Sequence, residues 1–140
     1  MQRVPSSPRP GWRDTIAHQG LVFSETTDPA TGISTSYWNE FACYELTMDE
    51  VDLLERTSEN LHMMAKDAAG FLAEESLKPG SPFNLGIPRE AIEYATVSLD
   101  RDDPSLYSRF ELIYSGNDGR QPRLLESNAD HPIGLAEAAV

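Results

Sequence analysis

The sequence predicts a mixed α/β (α+β) domain that contains a long helix, a second helix and a β-hairpin. Three observations predict this fold class. Thr47 and Glu50 form a helix-start signal ahead of a long apolar stripe, and Pro88 stands at the start of a second helical pattern. Residues 108–128 then contain two strand patterns separated by a turn.

The first ten residues predict a flexible lead-in, so we expect the domain to span residues 11–140. Three prolines and two serines among those ten positions are typical of a segment without regular structure. Gly11 to His18 predicts a short helix that Gly20 closes. The apolar run Leu21 to Phe23 predicts a short strand.

A loop and a group of aromatic residues follow. Residues 26–36 predict the loop because they contain Pro29 and Gly32. Large aromatic side chains usually serve the core, so we expect packing here, with stacking on a ligand as the alternative. The aromatic residues are Tyr37, Trp38 and Phe41.

The long helix is predicted to begin after Thr47 and to run to about Glu75. Thr47 and Glu50 have the spacing of a capping box. Lys78 to Pro82 ends the pattern. Apolar residues recur at steps of three and four, which indicates one buried face: Val51, Leu54, Leu61, Ala65, Ala68 and Leu72.

The second helix is predicted to start at Ile87, with Pro88 at its first position. Ile92 and Ala95 are expected to face the core. Arg101 to Pro104 then predicts the turn that leads into the hairpin.

The hairpin is predicted from strict alternation over Ser108 to Ser115. Arg109 and Glu111 fall on one face of this strand. A turn is expected over Gly116 to Gly119, followed by a second strand over Arg123 to Asn128. The opposite face of the first strand is expected to be buried, with Phe110, Leu112 and Tyr114.

A terminal helix is predicted after the hairpin. Asp130 stands where an N-cap is expected, and an apolar run from Leu135 to Val140 follows.

The register of the hairpin follows from the length of its loop. A loop of two or four residues brings Arg109, Glu111, Glu126 and Asn128 to one face of the hairpin. A loop of three or five residues would send one strand's side chains to the other face. The predicted partners are Tyr107 with Asn128, Arg109 with Glu126, and Glu111 with Leu124.

Two carboxylates, an amide oxygen and a guanidinium on one face suggest a site for a hard cation beside an anion. Mg²⁺ prefers carboxylate oxygens and keeps waters and substrate phosphates as its other ligands. The plainer alternative is an ordinary cross-strand ion pair between Arg109 and Glu126 on a solvated face.

Composition places limits on the function. The 140 residues are enough for one domain, and 39% hydrophobic content is enough for a core. A net charge of −12 argues against nucleic acid or an anionic membrane as the partner. The single Cys43 excludes an internal disulfide, and no apolar run is long enough to span a membrane. We therefore expect a cytoplasmic protein.

Several short segments resemble the glutathionylspermidine synthase family, whose members are ATP-grasp carbon–nitrogen ligases. The strongest are Ser108 to Glu111, Leu125 to Asp130 and Glu137-Ala138. The resemblance extends through most of the chain, in compatible order and spacing. It includes Arg9 to Arg13, Tyr37-Trp38, Leu46-Thr47 and Pro104 to Arg109.

The resemblance implies a pre-ATP-grasp fold and assigns roles on the hairpin. Glu111, Glu126 and Asn128 are the implied Mg²⁺ ligands, and Arg109 is implied to lie near the reacting carboxylate and phosphate. The complete enzyme is implied to use ATP to join a carboxylate to an amine, with substrates of the glutathione and polyamine kind. A non-catalytic binding or assembly module on the same scaffold is the alternative.

The chain is expected to be the N-terminal portion of such a ligase and inactive alone. The resemblance places the ATP-grasp part after this point, and the last helix lacks a C-cap. We expect self-association through that end, which carries Leu135, Ala139 and Val140.

Two positions depart from the family pattern in ways that affect substrate choice and metal binding. The family usually has Asp where this chain has Glu111, whose longer side chain is expected to shift or weaken the metal. The family has small hydroxyl residues where this chain has His131 and Ile133. A complete relative with these residues is therefore expected to use glutathione poorly.

Overall fold

The computed structural model describes residues 1–116 and 119–138. Over these residues the fold combines helices with small antiparallel two-stranded sheets, which confirms the predicted mixed α/β class. Asn117 and Asp118 of the predicted turn, and the last two residues of the predicted terminal helix, lie outside the described residues. The elements are β1 (Gln2–Pro5), α1 (Trp12–His18), β2 (Glu25–Thr27), β3 (Ser34–Ser36), β4 (Ala42–Glu45), α2 (Met48–Ser76), α3 (Arg89–Asp100), β5 (Arg109–Ile113), β6 (Arg123–Asn128) and α4 (Leu135–Ala138).

The two long helices form where the sequence predicts them. The Thr47 hydroxyl accepts the Glu50 backbone N–H at 3.3 Å, and the Glu50 carboxylate accepts the Thr47 N–H at 2.9 Å, which completes the capping box at the start of α2. Pro88 is the N-cap of α3 rather than its first residue, and Ile92 is buried as predicted.

The N-terminal segment differs from the prediction. Gln2–Pro5 form a strand that pairs with Ala42–Glu45, instead of a flexible lead-in. Pro5 has no N–H to donate and lies at the end of this strand, where a proline is tolerated. Ser6 N–H continues the contact to Phe41 O at 3.0 Å. The segment forms a strand because it pairs with β4, about 40 residues away, and the local composition of residues 1–10 contains no sign of that partner.

The segment before β4 also differs from the prediction. The apolar run Leu21 to Phe23 is not a strand; a hairpin of β2 and β3 forms instead, in and beside the predicted loop. Asp28 closes the turn of that hairpin by accepting the Ala30 N–H at 2.9 Å. Leu21 is 1% exposed because it belongs to the core.

The core is small, and the molecule has an open shape. Trp12, Ile16 and Leu21 form a buried cluster against which Trp38 and Ala136 pack. The accessible surface is 10716 Å², against ~7,200 Å² expected for a compact monomer of this mass. Apolar side chains are therefore left exposed along both long helices and the hairpin. Such a surface is suited to packing against more protein.

A buried carboxylate attaches the hairpin to the start of α2. Glu50 is 4% exposed; it pairs with the Met1 amino group and accepts the Tyr114 hydroxyl at 3.1 Å. Gly116, two residues after Tyr114, has φ +84°, and a Cβ there would lie 3.2 Å from the Met1 nitrogen. The amino group, the Thr47 N–H and the Tyr114 hydroxyl lower the pKa of Glu50 to about 2.

Removal of the Glu50 charge is expected to destabilise the fold in a pH-dependent way. The pKa of Glu50 is about 2 in the folded chain, below its ordinary value of 4.5. The stabilisation is therefore complete above pH 4.5 and is lost as the pH falls toward 2. Glu50→Gln should lower the free energy of unfolding in urea at pH 7, and the deficit should shrink at acidic pH.

The matched control is Glu59→Gln on the exposed side of α2, which removes the same charge. It should unfold like the parent chain at each pH. A loss of unfolding free energy in Glu50→Gln that is the same at neutral and acidic pH would contradict this prediction, because the loss would then not depend on the Glu50 charge.

Candidate functional site

The hairpin brings the four predicted site residues to one face, but with different partners from those predicted. Arg109 lies opposite Asn128, and Glu111 lies opposite Glu126. The predicted pairing of Arg109 with Glu126 and of Glu111 with Leu124 is therefore wrong. Directly opposed Cβ atoms in such a pair are roughly 5 Å apart, so Glu111 and Glu126 are neighbours across the two strands.

Two register shifts explain why the four residues still share one face although their partners differ from those predicted. Near the turn, Leu124 pairs with Leu112, whereas the predicted register places Leu124 opposite Glu111. The pairing is therefore shifted by one residue. A second shift between Glu111 and Leu112 leaves Leu125 unpaired, as in a β-bulge. One shift alone would have reversed the faces, whereas two shifts restore them because side chains alternate with a period of two.

The other face of the hairpin is less buried than predicted. Phe110, Leu112 and Tyr114 are half-buried rather than buried. A cleft of about 190 Å³ lies between this face and α2, lined by His62 and Phe110 among others. The helix therefore covers a two-stranded sheet only in part.

Arg109 is held by two acceptors on different parts of the chain. Its Nη2 lies 2.7 Å from Glu111 Oε1, and its Nη1 donates to the Ile133 carbonyl at 3.1 Å. Tyr107 donates to the same carbonyl at 2.9 Å. The guanidinium thus pairs with Glu111 on its own strand. The ion-pair alternative required a pair with Glu126 instead. Its orientation is fixed by contacts at both ends.

Asn128 carries the clearest sign of a ligand site. Among residues 1–116 and 119–138, its Oδ1 is the one buried side-chain nitrogen or oxygen without a hydrogen-bond partner. Buried polar atoms are nearly always satisfied, so an orphaned amide oxygen calls for an explanation. It shares a face with the carboxylates of Glu111 and Glu126.

These three side chains fit the ligand chemistry of Mg²⁺. They offer oxygen donors alone, which is the preference of hard cations. The described part of the chain contains no group of three or more His, Cys, Asp or Glu side chains arranged for a metal. The set on the hairpin has two carboxylates and an amide instead.

Sequence reasoning missed a contact between Tyr37 and Glu137 beside this site. The Tyr37 hydroxyl donates to Glu137 Oε1 at 2.6 Å. This hydrogen bond, together with the positive charge of Arg109, lowers the pKa of Glu137. Tyr37 is 52% exposed, so the expectation that it packs in the core fails, although Trp38 does pack there. Both residues lie in segments that carry the family resemblance, and nothing in their spacing brings them together.

The link between β6 and α4 also differs from the prediction. Asp130 does not cap α4, which begins at Leu135. Its carboxylate lies 2.7 Å from His131 Nδ1, and this contact lowers the pKa of Asp130. Ile133 reaches the site through its carbonyl, which accepts from Arg109.

Comparison with known proteins gives the family. The chain matches the family described as "Glutathionylspermidine synthase preATP-grasp" over residues 3–140, and it belongs to that family. A Haemophilus influenzae protein named "Putative acid--amine ligase" is 36% identical over 141 residues, which cover 100% of this chain and 33% of that protein. This chain therefore spans about a third of that relative's length. No solved structure matches the chain.

Replacement of Asn128 by leucine is expected to stabilise the isolated chain. A buried acceptor without a partner costs about 1 to 3 kcal/mol, and leucine of similar size removes it. Asn128→Leu should therefore raise the free energy of unfolding by about 1 kcal/mol. Residues that serve function are often not the most stabilising choice at their position, so their replacement can stabilise a protein. Urea unfolding measures this change.

Ser127→Ala, at the neighbouring position of β6, is the control and should change the free energy of unfolding by less than about 0.5 kcal/mol. A large loss of stability in Asn128→Leu would mean that the amide is a structural group.

Proposed function

We propose that this chain forms the part of an ATP-dependent acid–amine ligase that holds the reacting carboxylate. In the proposed reaction, ATP phosphorylates a substrate carboxylate, and an amine nitrogen then attacks the acyl phosphate to form an amide and release phosphate. The observation that carries the proposal is the shared hairpin face, where Arg109 faces Asn128 and Glu111 faces Glu126.

Arg109 is assigned to the negative charge that develops on the reacting carboxylate. A guanidinium offers several donors in a fixed fork, and charge-assisted hydrogen bonds of this kind are among the stronger ones. Glu111 and the Ile133 carbonyl hold it in place, so little reorganisation is needed when the substrate binds.

Glu111, Glu126 and Asn128 are assigned to Mg²⁺. When bound, the ion would neutralise charge on the transferring phosphoryl group. Asn128 supports this assignment best, because its buried oxygen has no other partner among the described residues. Glu111 would have to serve both Arg109 and the metal through different oxygens, and its long side chain allows this.

The substrates are proposed to be small molecules, a carboxylic acid and an amine of the glutathione and polyamine kind. Among the residues that the structure describes, no helix is long and apolar enough to cross a membrane. We assign the protein to a reducing compartment such as the cytoplasm, because Cys43 is a free and exposed thiol.

Metal binding to the hairpin can be tested on the 140-residue chain itself. Mn²⁺ accepts the same oxygen ligands as Mg²⁺ and broadens the NMR signals of nuclei near it. Amide signals of β5 and β6 should broaden first in the parent chain, and Glu126→Ala should abolish this selectivity. Glu59→Ala removes the same charge on the exposed side of α2 and should behave like the parent chain. Equal broadening in Glu126→Ala would overturn the metal assignment.

The isolated chain is expected not to turn over ATP. Holding an acyl phosphate and an amine in line, away from water, can contribute about 7 to 11 kcal/mol of barrier reduction, and one open face cannot supply this. Incubation with Mg²⁺-ATP, glutathione and spermidine should release ADP no faster than the Glu126→Ala variant does. Faster release would mean that these residues already form a complete enzyme.

Ligase activity itself needs a longer protein. We suggest replacing the matched third of the Haemophilus influenzae relative with this chain, and assaying ATP-dependent amide formation. Activity that Glu126→Ala abolishes would support the proposal. A folded chimera that binds Mg²⁺-ATP but forms no amide with any acid–amine pair would favour the binding-module alternative.

A further inference from the structure

The Ile133 carbonyl is shared by two side chains from the start of the hairpin. Tyr107 donates its hydroxyl hydrogen to this oxygen at 2.9 Å, and Arg109 donates from Nη1 at 3.1 Å. The two donors are two residues apart, the spacing at which side chains of an extended segment lie on the same side. A carbonyl oxygen has two lone pairs, and these two hydrogen bonds use both.

The direction of this carbonyl depends on its side-chain donors. Ile133 lies in the turn between β6 and α4 and belongs to neither element. Its own N–H donates to the His131 carbonyl, only two residues back, at 2.9 Å. Such a tight turn has no neighbouring strand that would fix its carbonyl groups. The hydroxyl of Tyr107 and the guanidinium of Arg109 therefore hold the Ile133 carbonyl in place.

The next residue lets the turn form against both donors. Gly134 has φ +88°, a backbone conformation that glycine adopts without strain. A Cβ at this position would lie 3.7 Å from the Tyr107 hydroxyl oxygen and 3.8 Å from the Arg109 Cδ. Both side chains thus rest against the backbone of the turn whose carbonyl they share.

The two acceptors that hold Arg109 differ in what they leave for a substrate. The Glu111 carboxylate is an anion, so its ion pair offsets part of the guanidinium charge, and Glu111 is also assigned to Mg²⁺. The Ile133 carbonyl is neutral, so it orients the guanidinium and leaves its charge available. A group that meets developing negative charge is best oriented in advance by such neutral partners. Whatever fixes the Ile133 carbonyl therefore also fixes the useful orientation of Arg109.

We propose that Tyr107 is a positioning residue for Arg109: its hydroxyl fixes the Ile133 carbonyl, and this carbonyl orients the guanidinium. Tyr107 needs no contact with the substrate in this role. Its hydroxyl remains as a donor when a substrate draws one Arg109 N–H away, so the turn keeps its shape. The importance of Tyr107 for catalysis rests on the proposed function, whereas the orientation of Arg109 is a property of the chain itself.

Tyr107→Phe in the 140-residue chain tests the orientation of Arg109, because it removes the hydroxyl and keeps the ring. NMR signals of isotope-labelled arginine side chains report how fast each guanidinium rotates. Rotation should become about fivefold faster for Arg109, the range of one lost hydrogen bond. The amide signal of Gly134, whose nitrogen shares a peptide group with the Ile133 carbonyl, should shift. The control is Tyr94→Phe on α3, where the side chain is 79% exposed, and it should leave both signals unchanged.

Gly134→Ala reaches the same carbonyl through the backbone, and it decides the question if Tyr107→Phe does not fold. A Cβ is strained at φ +88°, so the turn should move and the Ile133 carbonyl should leave its two donors. Rotation of the Arg109 guanidinium should again become faster. An unchanged rotation rate in either folded variant would overturn the proposal.

A double-mutant cycle shows whether Tyr107 acts through Arg109 in catalysis. It uses the Haemophilus influenzae relative with its matched third replaced by this chain. Tyr107→Phe should lower kcat/KM for the acid about fivefold and leave KM for ATP unchanged. In the Arg109→Lys background, Tyr107→Phe should lower kcat/KM no further, because the guanidinium that the carbonyl orients is gone. Equal losses in both backgrounds would mean that Tyr107 serves the fold alone and would overturn the proposal.

The two tests separate failure of this inference from failure of the proposed function. If the chimera forms no amide but Tyr107→Phe frees Arg109 in the 140-residue chain, the proposed function fails and the positioning contact stands. If the chimera is active and Tyr107→Phe changes neither the rotation of Arg109 nor kcat/KM, the proposed function stands and this inference is overturned.

Discussion

One buried carboxylate holds together the parts of this fold that are far apart in sequence. Glu50 closes the capping box of α2 and also accepts the hydroxyl of Tyr114, the residue that follows β5. A charged group at 4% exposure is tolerated only with several donors around it, and the Met1 amino group and Thr47 supply the others. The position of the hairpin relative to α2 therefore depends on this residue, and with it the position of the site.

The candidate site depends in turn on a defect in the hairpin. Leu125 is left unpaired, and this bulge moves Glu126 and Asn128 back to the face that carries Arg109 and Glu111. Without it, the oxygen donors would be divided between two faces. The orphaned oxygen of Asn128 agrees with the proposal that this face is arranged for a ligand.

The open shape of the chain agrees with its place in the family. A surface of 10716 Å² leaves many apolar side chains exposed, and the chain spans a third of the length of its Haemophilus influenzae relative. The same openness leaves the hairpin face with Glu126 accessible from outside. In the proposed enzyme, a covering lobe would exclude water from this face, which a single open face cannot do.

Local patterns in the sequence are enough to predict the elements whose causes are local. Thr47 and Glu50 specify the start of α2 because a capping box involves four neighbouring residues, and alternation identifies β5 and β6 because strand periodicity is a short-range property. The family resemblance likewise rests on short segments. Tertiary contacts set the pairing of β1 with β4, the bulge at Leu125 and the contact of Tyr37 with Glu137. These contacts join segments that are from about 15 to 100 residues apart, and the free energy that selects them comes from pairing and packing partners that no local pattern contains.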